Sequence, residues 1–145
     1  MIMRQILKTK ALYWLLLVFA MIIMTNCKKD DNISALLEGS WDMYAMYGAK
    51  GMLPMSVVAS STGISRFIIT FYPNEIFTIQ ETATESGTIS SETGTYTLSG
   101  KSLSITEPAG NVLHFNITTI TQTQLVMVDN TDFSFEVIWY FTKVN

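Results

Sequence analysis

Thr93-Gly94-Thr95-Tyr96-Thr97-Leu98-Ser99-Gly100-Lys101-Ser102-Leu103-Ser104-Ile105-Thr106 is the stretch that decides the fold. Tyr96 and Leu98 alternate with Thr95 and Thr97, and Leu103 and Ile105 flank Ser104. Successive side chains of a strand point to opposite faces, so each half offers one apolar face and one hydroxyl-rich face. Ser99-Gly100-Lys101 supplies the tight turn between the halves. The stretch therefore reads as a half-buried antiparallel hairpin.

The same texture runs outward from it in both directions. Upstream, strands are predicted over Gly39 to Tyr47, Ser65 to Tyr72 and Ile76 to Thr82, the last two joined by Pro73-Asn74-Glu75. The first half of the hairpin, Thr93 to Leu98, has room to begin near Thr88. Downstream, Glu107-Pro108-Ala109-Gly110 turns into Asn111 to Thr118. Gln122 to Val128 follows, and Asp129-Asn130-Thr131-Asp132 turns into Phe133 to Lys143. The apolar face collects Phe67, Ile69, Phe71, Phe77, Ile79, Leu113, Phe115, Ile117, Leu125, Met127, Phe135, Val137, Trp139 and Phe141. Arg66, Thr70, Gln80, His114, Asn116, Ser134 and Glu136 take the other face. Eight sequential strands with short turns and one dry face predict an all-β chain, an eight-stranded antiparallel up-and-down barrel that closes its own edges. A two-sheet sandwich is the alternative. One short helical turn, Ile33 to Glu38 with Asn32 as its cap, precedes the first strand.

The N-terminus has a different character. Arg4, Lys8 and Lys10 precede an apolar run of 14 residues from Ala11 to Met24. A bilayer-spanning helix needs about 20, so residues 1–26 read as a cleaved signal helix. Met24-Thr25-Asn26-Cys27 resembles the lipobox of bacterial lipoproteins, in which the cysteine thiolate takes up diacylglycerol. Cys27 is the single cysteine, so no disulfide framework exists and the domain stands on its apolar core. Acyl chains on Cys27 would be the partner contact with the membrane. Lys28-Lys29-Asp30-Asp31-Asn32 completes a charged tether over residues 27–32, leaving a domain over 33–145. That run resembles the export signal of lipoproteins of the Bacteroidota. It implies the outer membrane, on the periplasmic leaflet or the cell surface.

Loss of Arg4, Lys8 and Lys10 takes the net charge from −3 to −6. That balance argues against nucleic acid as a partner. The 119 residues left after the leader suit one domain, and a monomer is expected.

Gly39-Ser40-Trp41, after a helical lead-in, resembles the Gly-x-Trp motif that opens lipocalins. Phe71-Tyr72-Pro73-Asn74, Gly94 to Gly100, Leu103 to Thr106 and Trp139-Tyr140-Phe141-Thr142-Lys143 are similar to the lipocalin-like lipoproteins of the Bacteroidota. The arginine that packs on the tryptophan in typical lipocalins has no evident counterpart. The resemblance implies a barrel with Trp41 at its floor and a cavity for a small lipophilic ligand. Candidate lining residues are Trp41, Phe67, Phe71, Phe77, Phe115 and Trp139. Met52 and Met55 belong to a lid formed by the long connection from Met46 to Thr62. These bulky side chains could equally fill the barrel, leaving an interaction module for a partner protein or glycan, with Tyr44, Tyr72 and Tyr140 outside.

Chemistry finds little support. His114 is the only histidine and falls on a polar strand face, so no catalytic triad assembles. Glu81 and Glu85 lie in a polar stretch with no sign of a cleft. Met43, Met46, Met52 and Met55 are conceivable thioether ligands for Cu(I). No zinc spacing, calcium loop or phosphate loop is present. The expectation is a non-enzymatic protein without a cofactor.

Overall fold

The computed structural model describes residues 31–131 and 136–144. The signal segment, Cys27 and the first residues of the tether lie outside the described residues, as does the expected strand start at Phe133 to Phe135. Two short helices and nine strands follow in order. They are α1 (Asp31–Leu37), β1 (Gly39–Gly48), β2 (Gly51–Pro54), α2 (Met55–Thr62), β3 (Ile64–Phe71) and β4 (Ile76–Ala83). Then come β5 (Ile89–Ser99), β6 (Ser102–Thr106), β7 (Val112–Ile120), β8 (Gln124–Asp129) and β9 (Val137–Lys143).

Every pairing is antiparallel. Strands β1 and β3 to β9 pair in sequence, and β9 returns to β1 through Trp41↔Lys143 to Tyr47↔Ile138. These eight strands close the barrel, which leaves no long open edge. Strand β2 is extra. It pairs with the second half of β1, from Ala45↔Pro54 to Gly48↔Gly51, while the first half of β1 pairs with β3. The hairpin read from the sequence appears as Tyr96↔Ile105 and Leu98↔Leu103, closed at Ser99↔Ser102 over Gly100 in a left-handed conformation.

Two boundaries differ from the sequence reading. Helix α1 begins at Asp31, two residues before the expected helical turn at Ile33. The connection from Met46 to Thr62, expected as a lid between two strands, holds the end of β1, a further strand β2 and helix α2. Helix α2 has the sequence Met-Ser-Val-Val-Ala-Ser-Ser-Thr, poor in strong helix formers. It is held by burial of Val58 and stops at Gly63, whose φ of 73° satisfies the left-handed cap.

The core fills one end. Leu37 from α1, Trp41, Phe71, Phe77, Leu103, Ile117, Leu125 and Phe141 are all essentially inaccessible to solvent. They come from the start of β1, the end of β3, the start of β4 and their neighbours at the same barrel end, under α1. At roughly 1.5–3 kcal/mol for each fully buried large side chain, this layer is the main stabilising element. Gly94 opposes Phe77 in the register, and its missing side chain makes room for the Phe77 ring.

Candidate functional site

The two barrel ends differ. At the closed end, the last carbonyls of α1 need partners because no further helical turn supplies them. Trp41 Nε1 donates to Leu37 O at 2.7 Å. Lys143 Nζ donates to Glu38 O at 2.7 Å and to Leu36 O at 3.2 Å. The same ammonium sits 4.8 Å from the centre of the Trp41 ring. Lys143 thus provides the cation over the tryptophan that the sequence reading did not find. The signal was the register: the last residue of β9 pairs with Trp41 across the closing seam.

At the open end the apolar ladder stops short of the rim. Among the described residues, three hollows lie there, and Trp139 forms a wall of each. One of about 240 Å³ is bounded by Phe67, Ile79, Glu81, Glu92, Glu107, Leu113 and Trp139. A second of about 130 Å³ shares Phe67, Glu81 and Trp139 and adds Met43, Met46, Met55 and Val58. The third, about 450 Å³, lies at the β1–β2 turn against Met46, Lys50, Leu53, Asp129 and Val137. Trp139 also centres an aromatic cluster. Phe67 is tilted against it at 5.9 Å, Phe115 meets it edge-on at 6.1 Å, and Phe141 stacks parallel at 6.5 Å. Its indole nitrogen is buried without a hydrogen-bond partner among the described residues.

Of the candidate ligand residues, Phe67, Met55 and Trp139 meet at these hollows. Trp41, Phe71, Phe77 and Phe115 are packed into the core. Met52 is exposed on β2 and lines none of the three hollows. Met43, Met46 and Met55 share one hollow, apart from Met52. His114 is exposed, with Nδ1 at 3.0 Å from Ser104 Oγ. No three His, Cys, Asp or Glu side chains among the described residues converge to hold a metal ion. Burial foremost, then the nearby Glu38 and Glu75 carboxylates, raises the pKa of Tyr96 above the ordinary phenol value. Its hydroxyl donates to Tyr72 O at 2.8 Å.

A closed eight-stranded antiparallel barrel, floored by a tryptophan from a Gly-x-Trp segment and capped by a short helix, narrows the choice of family. The lipocalin-like domain family matches residues 37–127, most of the barrel. The chain belongs to the lipocalin-like domain family. Solved structures agree on the fold. A lipocalin-like protein from Bacteroides uniformis is 16% identical with a TM-score of 0.58, covering 75% of this chain and 99% of its own. A protein from Bacteroides eggerthii is 14% identical with a TM-score of 0.54, covering 74% and 99%. A bovine lipocalin allergen is 11% identical with a TM-score of 0.50, covering 77% and 75%. No curated protein matches the sequence. The match to the lipocalin-like domain begins at Leu37, the residue that α1 buries in the barrel floor.

Proposed function

We propose that this lipocalin-like chain is a lipid-anchored protein of the cell envelope that holds a small, mainly apolar ligand at the open end of its barrel. The ligand reading is carried by one observation. The side chains that fill the interior are concentrated at the closed end, and the hollows around Trp139 remain at the other. An eight-stranded barrel is just wide enough to be filled by its own side chains. Here Glu81, Ser90 and Glu92 share the inward face with Phe67, Ile79 and Leu113, which form apolar walls of the hollow. Concave, mostly apolar sites with a few polar groups are the usual form of small-molecule sites. The role is non-enzymatic.

The anchor rests on sequence alone, on the leader that ends at Cys27 and the basic-then-acidic run after it. Acyl chains on Cys27 would hold the protein on the outer membrane, facing the periplasm or the cell surface. Labelled palmitate should enter the wild-type protein and not the Cys27→Ala variant. Equal labelling of the two refutes the anchor. For the ligand, native mass spectrometry of protein purified from its own host is expected to show a bound small molecule. A bare mass in repeated preparations counts against it.

A bare mass would favour a second reading, an envelope interaction module. The observation behind that reading is the outer face of β1, β2 and β9. Tyr44 and Tyr140 lie 6.1 Å apart there, and Tyr44, Tyr47 and Met52 are exposed.

A further inference from the structure

We infer that the ligand of the open-end hollow is an organic cation: an ammonium group on a small aromatic or aliphatic body. This rests on the reading of that hollow as a ligand site and specifies its chemistry.

The strand register supplies the first argument. Phe77 and Ile79 of β4 face inward, and the alternation that puts them there also points Glu81 inward. Glu81 pairs with Ser90 and Ile79 with Glu92, so Glu92 shares that face. Glu107 stands two residues beyond the buried Ile105 of β6. All three residues border the 240 Å³ hollow: Glu81 level with Phe67, the exposed Glu92 level with Ile79, and Glu107 one step beyond Leu113. They occupy positions where a lipid-filled barrel would carry apolar side chains. The ion pair among the described residues is Arg66 with Asp42, and it involves none of them. Glu107 accepts a hydrogen bond from Asn111 Nδ2 at 3.1 Å, which cancels no charge. Three acidic residues around one opening give it a negative potential that attracts a cation.

The second argument is aromatic and independent of the first. Phe67 and Trp139 form adjoining walls of the same hollow, their rings tilted 55° to each other. Ring faces carry negative potential and attract ammonium groups, tryptophan most of all. Aromatic walls flanked by acidic residues complement an amine and repel a fatty-acid carboxylate. The carboxylates are spread around the opening and do not converge for a metal ion. A volume of about 240 Å³ limits the body to a single ring or a short chain.

Three probes with the same phenyl body test this: phenethylamine, phenethyl alcohol and phenylpropionate. Each is titrated into the full chain in phosphatidylcholine nanodiscs, with empty nanodiscs subtracted, by calorimetry and tryptophan fluorescence. Phenethylamine is expected to bind roughly tenfold more tightly than the alcohol, as two or three partly exposed charge pairs allow. Phenylpropionate should bind most weakly. The amine's advantage should shrink as salt is raised. Glu81→Gln combined with Glu92→Gln should bring the amine down to the level of the alcohol, with the melting temperature of the protein checked alongside. Equal binding of amine and alcohol overturns the cation inference and leaves the apolar site standing. Binding of none of the three overturns both.

Discussion

Replacing Lys143 by methionine should loosen the closed end more than any other single surface change. The ammonium makes two charge-assisted hydrogen bonds, to the carbonyls of Leu36 in α1 and of Glu38 just beyond it, and sits over the Trp41 ring. Hydrogen bonds to charged groups contribute about 1.5–3 kcal/mol each. A cation over an indole adds about 0.5–2 kcal/mol, and a positive charge at a helix C-terminus roughly 0.3–1 kcal/mol. Two effects reduce the total. Methionine keeps most of the aliphatic stem against the tryptophan, and Lys143 is only half-buried, so water reaches the vacated carbonyls. A net loss of about 2–4 kcal/mol remains. For a domain of this size that lowers the melting temperature by roughly 8–15 °C. Urea unfolding followed by tryptophan fluorescence measures it, with an unchanged m value showing that the unfolded state is the same. Lys143→Arg should recover part of the loss, since a guanidinium retains charge and donors. A loss under about 1 kcal/mol for Lys143→Met would refute the reasoning. It would mean that solvent serves the carbonyls of Leu36 and Glu38 as well as the ammonium does.

Gly94→Ala should cost about 1–3 kcal/mol or more by overpacking, because its new methyl would run into the Thr106 backbone carbonyl and lie 2.6 Å from the Phe77 ring; chemical denaturation reads this directly. Trp139→Phe should change stability by less than about 1 kcal/mol, since the lost ring area is offset by removing an indole N–H that has no partner. Trp139→Ala, in contrast, should lose about 3–5 kcal/mol, and thermal melts of both variants give the comparison. Tyr96 should ionise later than an ordinary tyrosine in a spectrophotometric alkaline titration. Its folded pKa lies above its unfolded value, so its stabilising contribution is complete below about pH 10 and is lost as pH rises through the folded value. Tyr96→Phe should remove that alkaline slope. Arg66→Gln should change stability by no more than about 1 kcal/mol, because its ion pair with Asp42 is solvent-exposed on the arginine side.

Much of the barrel could be read directly from alternation. Leu103 and Ile105, or Phe115 and Ile117, announce their inward face without help from the rest of the chain, and all four are buried. The segment from Met52 to Thr62 resisted reading for a physical reason. Its β-branched and hydroxyl residues have no clear helical or strand period, and the span between β1 and β3 decides its conformation. Lys143 was equally opaque. A single lysine near a chain end has no local signal, and its role arises only when β9 meets β1. At the candidate site, the aromatic residues Phe67 and Trp139 were visible as members of the inward ladder. Of the carboxylates, Glu81 follows from carrying the β4 alternation past Ile79, whereas the exposed Glu92 shows which face it shares only through the register of β4 with β5.

The seam between β1 and β9 sets an order of events for biosynthesis. The strand that carries Trp41 is made early, yet one of its flanks stays bare until residues 137–143 have been released. Folding therefore has to wait for the tail, and so long-range a closure is intrinsically slow. A premature stop that removes only the final strand would expose two raw strand margins, on β1 and β8, and leave the helix end without its lysine. Such a product should clump or be degraded instead of persisting as a slightly shorter barrel.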